Sequence, residues 1–303
     1  MSINAITGYA RRLRSWLHGG DASERTLELL GTMLANQVAS RQEITSFRDV
    51  EFRVFSQWGD DGIIQWLVSR LPSLPRRFIE FGVEDYSESN TRFLMVNNNW
   101  SGLVMDGSAA NIAHLRKRKW FWRHDLTAIP CFVTRDNVDA VIAEWANGSP
   151  VGLLHIDVDG NDYWLWDAIE CTAPAIVIME YNALFGPERA ITIPYAADFN
   201  RFQAYYSGQY SGASLAAMTY LAGRKNYALL GVNSAGNNAY FVQRSLLGEP
   251  LKEVSAAEAF VTPNFRESRD QQGRLDYLSF APRQALLRGL PVVNVVTGQV
   301  EPF

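Results

Sequence analysis

Between Arg77 and Glu180 the sequence alternates short apolar runs with segments of helical spacing, and this alternation constrains the fold more than any other feature. The apolar runs are FIEFGVE, GLVMDGS, PCFVT, GLLHIDVDG and AIVIMEYN. Strands separated by helices form βαβ units, in which the crossover places successive strands parallel in one sheet. The sequence therefore predicts an α/β fold with five parallel strands and helices on both faces.

The pattern changes after an irregular stretch that ends near Ser211. SLAAMTYLAGRKN has helical spacing, and it is followed by two strand-like runs, YALLGVNS and NAYFVQ, in close succession. Two strands with so short a connection form an antiparallel hairpin. We expect this hairpin to extend one edge of the sheet.

The chain divides into three parts on composition and periodicity. Residues 1–52 read as an N-terminal helical extension, residues 53–247 as the main domain, and residues 248–303, punctuated by proline and charge, as a C-terminal appendage. Met1–His18 has the spacing of a short basic amphipathic helix with three arginines. Such a helix either packs on its own domain or docks on a membrane surface or a partner protein.

The bulk composition limits the partners and the compartment. A formal charge of −4 and a pI near 5.7 give no reason to expect a nucleic acid partner. The sequence has only two cysteines, Cys131 and Cys171, which predicts buried free thiols. No window approaches the ~18 apolar residues of a membrane helix. A cytoplasmic protein is expected, with membrane association through the first helix as the alternative, and both a monomer and a homo-oligomer remain open.

Ligands of open α/β sheets bind at the carboxyl ends of the strands, so residues at those ends are the first site candidates. Glu80 and Gly82 end the first strand, where the glycine allows close approach of a ligand. Asp106 ends the second strand 24 residues beyond Gly82 and is followed by Gly107 and Ser108. An acid at this position binds ribose hydroxyls in nucleotide-binding units, although it also suits a helix N-cap.

The fourth strand ends in HIDVDGND, and alternation would place His155, Asp157 and Asp159 on one face. Polar groups at the end of an apolar strand are costly to bury unless they are paired or used. They suit proton abstraction from a substrate hydroxyl or, together with Glu180 at the end of the fifth strand, an Mg²⁺ or Mn²⁺ site. The alternatives are loop capping by Asp159 and a core histidine at 155.

The loops after the third and fifth strands supply weaker candidates. Thr134 follows the third strand, where it either caps the next helix or borders the base of a bound nucleoside. Asn182 and Arg189 lie beyond the fifth strand, in a segment expected to cover the mouth of the site. Both side chain types suit a hydroxylated or anionic substrate, so Glu180, Asn182 and Arg189 are the candidates for substrate binding.

Four segments occur in a characteristic order: FSQWGDDGII, FIEFGVEDYSESNT, LVMDGS and LLHIDVDGNDYWLW. With these segments the chain resembles the FkbM-type and related class I S-adenosylmethionine-dependent methyltransferases, especially those encoded with bacterial glycan-assembly genes. The resemblance covers roughly Glu51–Leu247. It implies a Rossmann-like sheet that ends in an antiparallel hairpin, and S-adenosylmethionine as the cofactor.

The resemblance also implies roles for particular residues. Glu80 and Gly82 would border the methionine part of the cofactor, Asp106 would hold the ribose, and Asp157 would lie where the methyl acceptor meets the cofactor. Tyr86 departs from the pattern, because many relatives have a second glycine there. The cofactor has no pyrophosphate, so no phosphate-cradling loop is required.

The segment before the sheet is implied to close over the site through Gln57 together with Asp60 or Asp61. The function implied is transfer of a methyl group to a hydroxyl of a sugar or glycan intermediate in polysaccharide biosynthesis. The alternative is a non-catalytic Rossmann-like scaffold that docks on a glycan-assembly complex through its N-terminal helices.

Overall fold

The structure, a computed structural model, describes residues 23–303. The strands in chain order are β1 (Arg77–Phe81), β2 (Ser101–Asp106), β3 (Leu126–Pro130), β4 (Leu153–Ile156), β5 (Ile176–Glu180), β6 (Ile191–Thr192), β7 (Tyr227–Val232), β8 (Asn238–Gln243), β9 (Pro291–Asn294) and β10 (Val300–Pro302). The helices are α1 (23–39), α2 (Asp60–Arg70), α3 (Arg92–Asn98), α4 (Ala109–Arg116), α5 (Val138–Ala146), α6 (Asp162–Ala168), α7 (Arg201–Ala204), α8 (Leu215–Arg224), α9 (Ala256–Ala259) and α10 (Phe280–Leu286).

The main sheet has seven strands in the order β3-β2-β1-β4-β5-β8-β7. β1 pairs in parallel with both β2 and β4, whereas β8 pairs antiparallel with both β5 and β7. The chain thus adds β2 and β3 on one side of β1, and then returns to add β4 and β5 on the other side of β1. The predicted parallel sheet with a terminal hairpin is confirmed, and the switch in direction between β1 and β4 is where ligands bind in such sheets.

Helices cover both faces of this sheet, as expected. Apolar side chains of α5, α6 and α8 pack on one face of the sheet, against strand residues such as Ile79 and Phe81. Side chains of α2, α3 and α4 pack on the other face, against Phe78 and its neighbours. Since side chains alternate along a strand, Glu80 shares its face with Phe78. The same alternation places Glu180 on the face of Ile176 and Ile178.

The third strand lies earlier in the chain than PCFVT, the segment predicted from its apolar run. The observed strand is Leu126–Pro130, and its residues alternate in burial because β3 is an edge strand of the sheet. An edge position also tolerates Pro130, which has no backbone N–H to donate. The apolar run Cys131–Val133 is instead part of the following loop, and this correction moves Thr134 away from the strand end.

A second sheet joins parts of the chain that the sequence assigned to different units. It has the order β10-β9-β6, and β6 pairs with β9. Tyr210, Leu287 and Val292 are buried in the small apolar cluster beneath it. Residues on both sides of the expected boundary at 247 therefore share one sheet and one core.

The expected helix at Met1–His18 lies outside the described residues. Within 23–303, no helix is long and apolar enough to cross a membrane. Both cysteines are free thiols, as predicted, but their expected burial is wrong, because Cys131 is half-buried and Cys171 is exposed. Cys131 lies in the loop after β3 and packs against the edge of the core, and Cys171 lies in the loop after α6.

Candidate active site

A cavity of about 860 Å³ opens at the carboxyl ends of β1, β2, β4 and β5, across the point where the sheet reverses its direction of growth. Most of the predicted site residues line it. They are Gln57, Glu80, Gly82, Asp106, Gly107, Ser108, His155, Asp157, Asp159 and Glu180. The cavity has the location that the sheet topology predicts for a ligand site.

Gly82 forms the floor of the cavity where β1 ends. Its φ is +72°, and a Cβ atom built on it would lie 1.7 Å from the carbonyl oxygen of Asp157. Its N–H donates to the carbonyl of Met105, 2.9 Å away. The glycine is therefore required twice, by its left-handed backbone and by the close approach of the turn after β4.

Glu80 is the hub of a buried hydrogen-bond network beside Gly82. Its carboxylate accepts hydrogen bonds from the Ser89 hydroxyl at 2.6 Å, from the Asn90 N–H at 2.9 Å, and from the N–H and hydroxyl of Thr91. Burial disfavours the charged form of Glu80. His155 outweighs this effect through its hydrogen bond and its charge, and the Ser89 and Thr91 hydroxyls add to it, so the pKa of Glu80 is lowered. Glu80 thus stays ionised and holds residues 89–91 at the cavity wall.

His155 lies opposite Glu80 in the register of β1 and β4. Its Nδ1 is 2.9 Å from a Glu80 oxygen, and its Nε2 is 3.1 Å from the Asn90 side chain amide. Burial favours the neutral ring, but the hydrogen bond and charge of Glu80 more than offset this and raise the pKa of His155. Both ring nitrogens are occupied, so the histidine positions Glu80 and Asn90 at the cavity wall.

Asp157, Asp159 and Glu180 form an acidic cluster at the ends of β4 and β5, with one carboxylate oxygen of each within 4.8 Å of the others. Burial raises the pKa of Asp157 to about 6, despite the favourable charge of His155. Burial and the charge of Asp157 raise the pKa of Glu180 as well. Carboxylates this close cannot all ionise freely, so they share a proton or bind a cation.

The predicted common face of His155, Asp157 and Asp159 is only partly correct. β4 ends at Ile156, and Asp159 has a left-handed backbone with φ of +56°. The alternation that applies within the strand therefore stops before the two aspartates. The turn sends His155 toward Glu80 and both aspartates toward Glu180.

Asp106 presents its carboxylate at the end of β2. One oxygen accepts from the Glu84 N–H at 2.8 Å, and the other accepts from the Ser108 N–H at 2.8 Å and from the Asn111 side chain at 3.2 Å. Ser108, rather than Asp106, is the N-cap of α4. Asp106 therefore links the loops after β1 and β2 while it lines the cavity.

Several cavity residues carry no recognisable sequence signal. Arg201 pairs with Asp159 at 3.0 Å and lies 3.5 Å from Glu267. Trp58 stacks on Phe265, with ring centroids 5.6 Å apart. These residues come from irregular segments before and after the sheet, where neither periodicity nor motif spacing indicates a site.

Asp162 is a further residue that the sequence did not single out. It is buried and accepts backbone hydrogen bonds from Val158 at 2.8 Å and Gly160 at 3.0 Å, which fixes the turn that carries Asp157. Burial and the nearby charge of Asp157 raise the pKa of Asp162 to about 7. The position follows a strand end and opens a helix, a signal that could have identified it as a turn anchor.

The loop before α2 is held by two buried aspartates, Asp60 and Asp61, which are not among the residues that line the cavity. One Asp61 oxygen accepts from the backbone N–H groups of Val54, Phe55 and Ser56 at 2.7–2.8 Å. Asp60 accepts from Asn233 and Asn238 of the β7–β8 hairpin. Of this expected group, Gln57 alone lines the cavity, and the aspartates shape the loop that carries it.

Three other predicted residues do not line the main cavity. The Thr134 N–H donates to the Asn137 side chain at 2.8 Å, at the start of α5. The Asn182 amide donates to the carbonyls of Gln209 and Ser211 at 2.9 Å. Arg189 pairs with Glu301 at 2.7 Å. Each has a structural partner, and Asn182 also lines a smaller cavity next to the main one.

No family model and no curated protein matches this chain. Among solved structures it is similar to an O-methyltransferase from Bacillus cereus in complex with SAH, at 12% identity, a TM-score of 0.37, and coverage of 72% of this chain and 91% of that one. The N-terminal domain of EvdMO1 with SAH bound matches at 11% identity and a TM-score of 0.38, and the match covers 70% of this chain and 93% of that one. The pyocyanin biosynthetic protein PhzM matches at 9% identity and a TM-score of 0.33, and the match spans 60% of this chain and 56% of that one.

Proposed function

We propose that this protein is an S-adenosylmethionine-dependent O-methyltransferase that acts on a hydroxyl group of a sugar or glycan intermediate. The observation that carries the proposal is the cavity at the switch point, in which a glycine floor, the acid at the end of β2 and a carboxylate pair at the ends of β4 and β5 converge. Each of these features matches one part of the reaction: the amino acid end of the cofactor, its ribose, and the acceptor hydroxyl.

The lining residues suit this cofactor. Gly82 and Gly107 leave backbone accessible at the ends of β1 and β2, and Asp106 offers carboxylate oxygens to ribose hydroxyls. Phe132 is 55% exposed and lies in the loop that follows β3, where its ring offers a flat apolar surface to a purine. The donor set therefore matches a nucleoside joined to an amino acid.

The charge of the cavity favours a cation over a pyrophosphate. Its acidic residues are Glu80, Glu84, Glu88, Asp106, Asp157, Asp159, Glu180 and Glu267. Arg201 is the sole lysine or arginine in the described lining. A sulfonium is attracted by such a surface, whereas a pyrophosphate placed beside the carboxylates at the strand ends would be repelled.

S-adenosylmethionine supplies an electrophilic methyl group when it is bound. The protein then has to align the acceptor oxygen and remove its proton. Asp157 suits the second task because its pKa of about 6 keeps it ionised at neutral pH yet basic enough to accept a proton. Glu180, whose pKa is also raised by burial and by the charge of Asp157, can hold the shared proton and orient the hydroxyl.

A sugar acceptor is supported by the outer wall of the cavity. Trp58, Phe199 and Phe265 provide aromatic surfaces for a pyranose ring, and Asn237 and Arg201 provide hydrogen-bonding groups. The experiment that tests the whole proposal is a mass-spectrometric screen with isotope-labelled S-adenosylmethionine against sugar nucleotides and lipid-linked glycans. Label in a sugar product supports the proposal, and label in none of them, with the cofactor bound, would show that the acceptor belongs to another class.

Cofactor binding is tested separately with Asp106→Asn. Replacing the carboxylate weakens its hydrogen bonds to the ribose, and charge-assisted bonds contribute roughly 1.5–3 kcal/mol each. We expect S-adenosylhomocysteine to bind about 10- to 100-fold more weakly in calorimetry. Asp136→Asn, at a side chain that is 76% exposed, is the control and should bind normally. If the wild-type chain binds neither S-adenosylmethionine nor S-adenosylhomocysteine at millimolar concentration, the enzyme assignment is wrong and the scaffold alternative gains support.

As the alternative to the shared proton, we propose that Asp157, Asp159 and Glu180 bind Mg²⁺ or Mn²⁺. Three convergent carboxylates with raised pKa values at Asp157 and Glu180 fit a hard divalent cation, which prefers oxygen ligands and would relieve their mutual repulsion. A bound cation would neutralise the cluster and orient an acceptor oxygen.

The metal proposal predicts a rise in the thermal midpoint at pH 7.5 when Mg²⁺ or Mn²⁺ is added, with a smaller rise for Glu180→Gln. Lowering the pH should weaken the effect, because protons compete for the same carboxylates. Full activity after treatment with a chelator, together with an unchanged midpoint, would exclude the metal while leaving the methyl-transfer proposal in place.

A further inference from the structure

A second, smaller cavity of about 70 Å³ adjoins the first. The two share the lining residues Glu180, Arg201, Asn237, Phe265 and Glu267. Glu180 therefore lies between the larger space and a side chamber, whose far wall comes from residues 208–212 and from α10. A molecule with its reacting hydroxyl near Glu180 can extend a substituent into this chamber.

Arg283 of α10 lines the side chamber and is only 1% exposed. Its Nη1 makes two long hydrogen bonds, at 3.4 Å each, to the Gln209 side chain and to the carbonyl of Glu267. Its Nε and Nη2 have no partner, and among residues 23–303 no carboxylate forms a salt bridge with it. A buried guanidinium with unused donors is costly to the fold unless something else binds it.

The two unpartnered nitrogens are the pair on one edge of the guanidinium. That edge presents two parallel N–H groups, the geometry that binds both oxygens of a carboxylate or a phosphoryl group. Phe265 lies beside the group, with its ring centroid 5.7 Å from Cζ. The unpartnered edge of Arg283 matches an oxyanion with two oxygens in one plane. Both nitrogens are buried, so the wall of the side chamber would have to shift for an oxyanion to contact them.

The charges around Arg283 are of both signs. Glu267 lies 3.5 Å from Arg201, which also pairs with Asp159 at 3.0 Å. Arg266 contributes positive potential at Arg283, and the charges of Asp276 and Glu267 oppose it. Burial is the main cause of a lowered pKa at Arg283, and an anionic partner would reverse that cost.

We propose that Arg283 and the side chamber bind an oxyanion, a carboxylate or a phosphate, on the methyl acceptor. The acceptor class is thus an acidic sugar, either a uronic acid or a sugar phosphate, with a free hydroxyl within reach of Asp157 and Glu180. The acceptor assignment rests on the proposed methyltransferase function, whereas the binding of the oxyanion does not.

The test measures the binding of matched probes to the full chain, with and without S-adenosylhomocysteine. The probes are D-glucuronate, D-glucose 6-phosphate and D-glucose, together with acetate and inorganic phosphate. We expect at least one of the two acidic sugars to bind on the order of 10- to 100-fold more tightly than glucose, from one bidentate charge-assisted contact. Comparison of glucuronate with glucose 6-phosphate distinguishes a carboxylate from a phosphate.

Arg283→Met should abolish this preference without weakening the binding of S-adenosylhomocysteine. Arg283→Lys keeps the charge but cannot form the bidentate contact, so it should retain only part of the preference for the acidic sugar over glucose. Arg288→Met removes an exposed arginine just beyond α10 and serves as the control. Without ligand, Arg283→Met should keep or raise the thermal midpoint, because it removes an unpaired buried charge.

Two results would overturn the inference. One is equal binding of glucose and both acidic sugars, with no saturable binding of acetate or phosphate. The other is an unchanged preference in Arg283→Met. If the oxyanions bind through Arg283 but S-adenosylhomocysteine does not bind at all, the inference that the side chamber binds an oxyanion is supported and the methyltransferase proposal fails. If S-adenosylhomocysteine binds but no oxyanion does, the side-chamber inference fails and the methyltransferase proposal stands.

Discussion

Gly82→Ala is expected to remove cofactor binding and to destabilise the fold. A left-handed backbone at a residue other than glycine costs on the order of 1–3 kcal/mol. The new Cβ would also lie 1.7 Å from the carbonyl oxygen of Asp157, so the turn after β4 must move. We expect roughly 100-fold or greater loss of S-adenosylhomocysteine affinity in calorimetry and about 3 kcal/mol lower stability in urea unfolding.

Gly148→Ala separates the two causes. Gly148 has nearly the same φ, +74°, but nothing lies within 4 Å of an added Cβ. This variant should lose only the backbone contribution, about 1–2 kcal/mol, and should bind the cofactor normally. Equal losses of stability in both variants, with cofactor binding intact in both, would show that contact between the two turns is not required.

Asp157→Asn is expected to reduce methyl transfer by about 10²- to 10⁴-fold, the usual contribution of a general base. The amide has nearly the same shape but cannot accept the acceptor proton. Binding of S-adenosylhomocysteine should change only a few-fold, because the ribose and the glycine floor are untouched. Asp198→Asn, an exposed aspartate next to the cavity residue Phe199, is the control.

The pH dependence of the wild-type protein follows from the raised pKa of Asp157. Its rate should rise through about pH 6 as this group ionises. Stability should change in the opposite direction, because a folded-state pKa above the unfolded one of ~3.9 means that the native state binds its proton more tightly. The contribution of Asp157 to stability is therefore lost between about pH 4 and pH 7, and Asp157→Asn should remove this contribution while those of Asp162 and Glu180 remain. A rate profile that is flat across this range would argue against Asp157 as the base.

The central sheet could be predicted because buried parallel strands are short apolar runs separated by helices, a pattern that survives without any knowledge of tertiary contacts. β1, β2, β4 and β5 all lie where the sequence places them. β3 was misplaced because an edge strand alternates between buried and exposed residues, and LTAIP is less apolar than the loop that follows it.

The inner half of the candidate site was predictable for the same reason. Glu80, Gly82, Asp106 and Asp157 follow strand ends, and topology brings strand ends together. Asp61 and Arg189 have structural partners outside the cavity, and Asn182 lines only the side chamber. Polar residues in loops also bind backbone groups and surface charges, and sequence alone does not separate these uses from ligand binding. Arg201, Phe265 and Arg283 reach the site through long irregular segments, whose paths depend on tertiary packing.

The shared sheet of β6, β9 and β10 has a consequence for how such a protein could diversify. The residues proposed to bind the cofactor lie before residue 135, whereas Arg201, Phe265 and Arg283 belong to the later segments around that small sheet. Acceptor preference could then change through substitutions in the second half of the chain while the cofactor-binding half stays constant. Exchange of residues 260–303 between related chains should transfer selectivity for the acidic group and leave affinity for S-adenosylhomocysteine as it was.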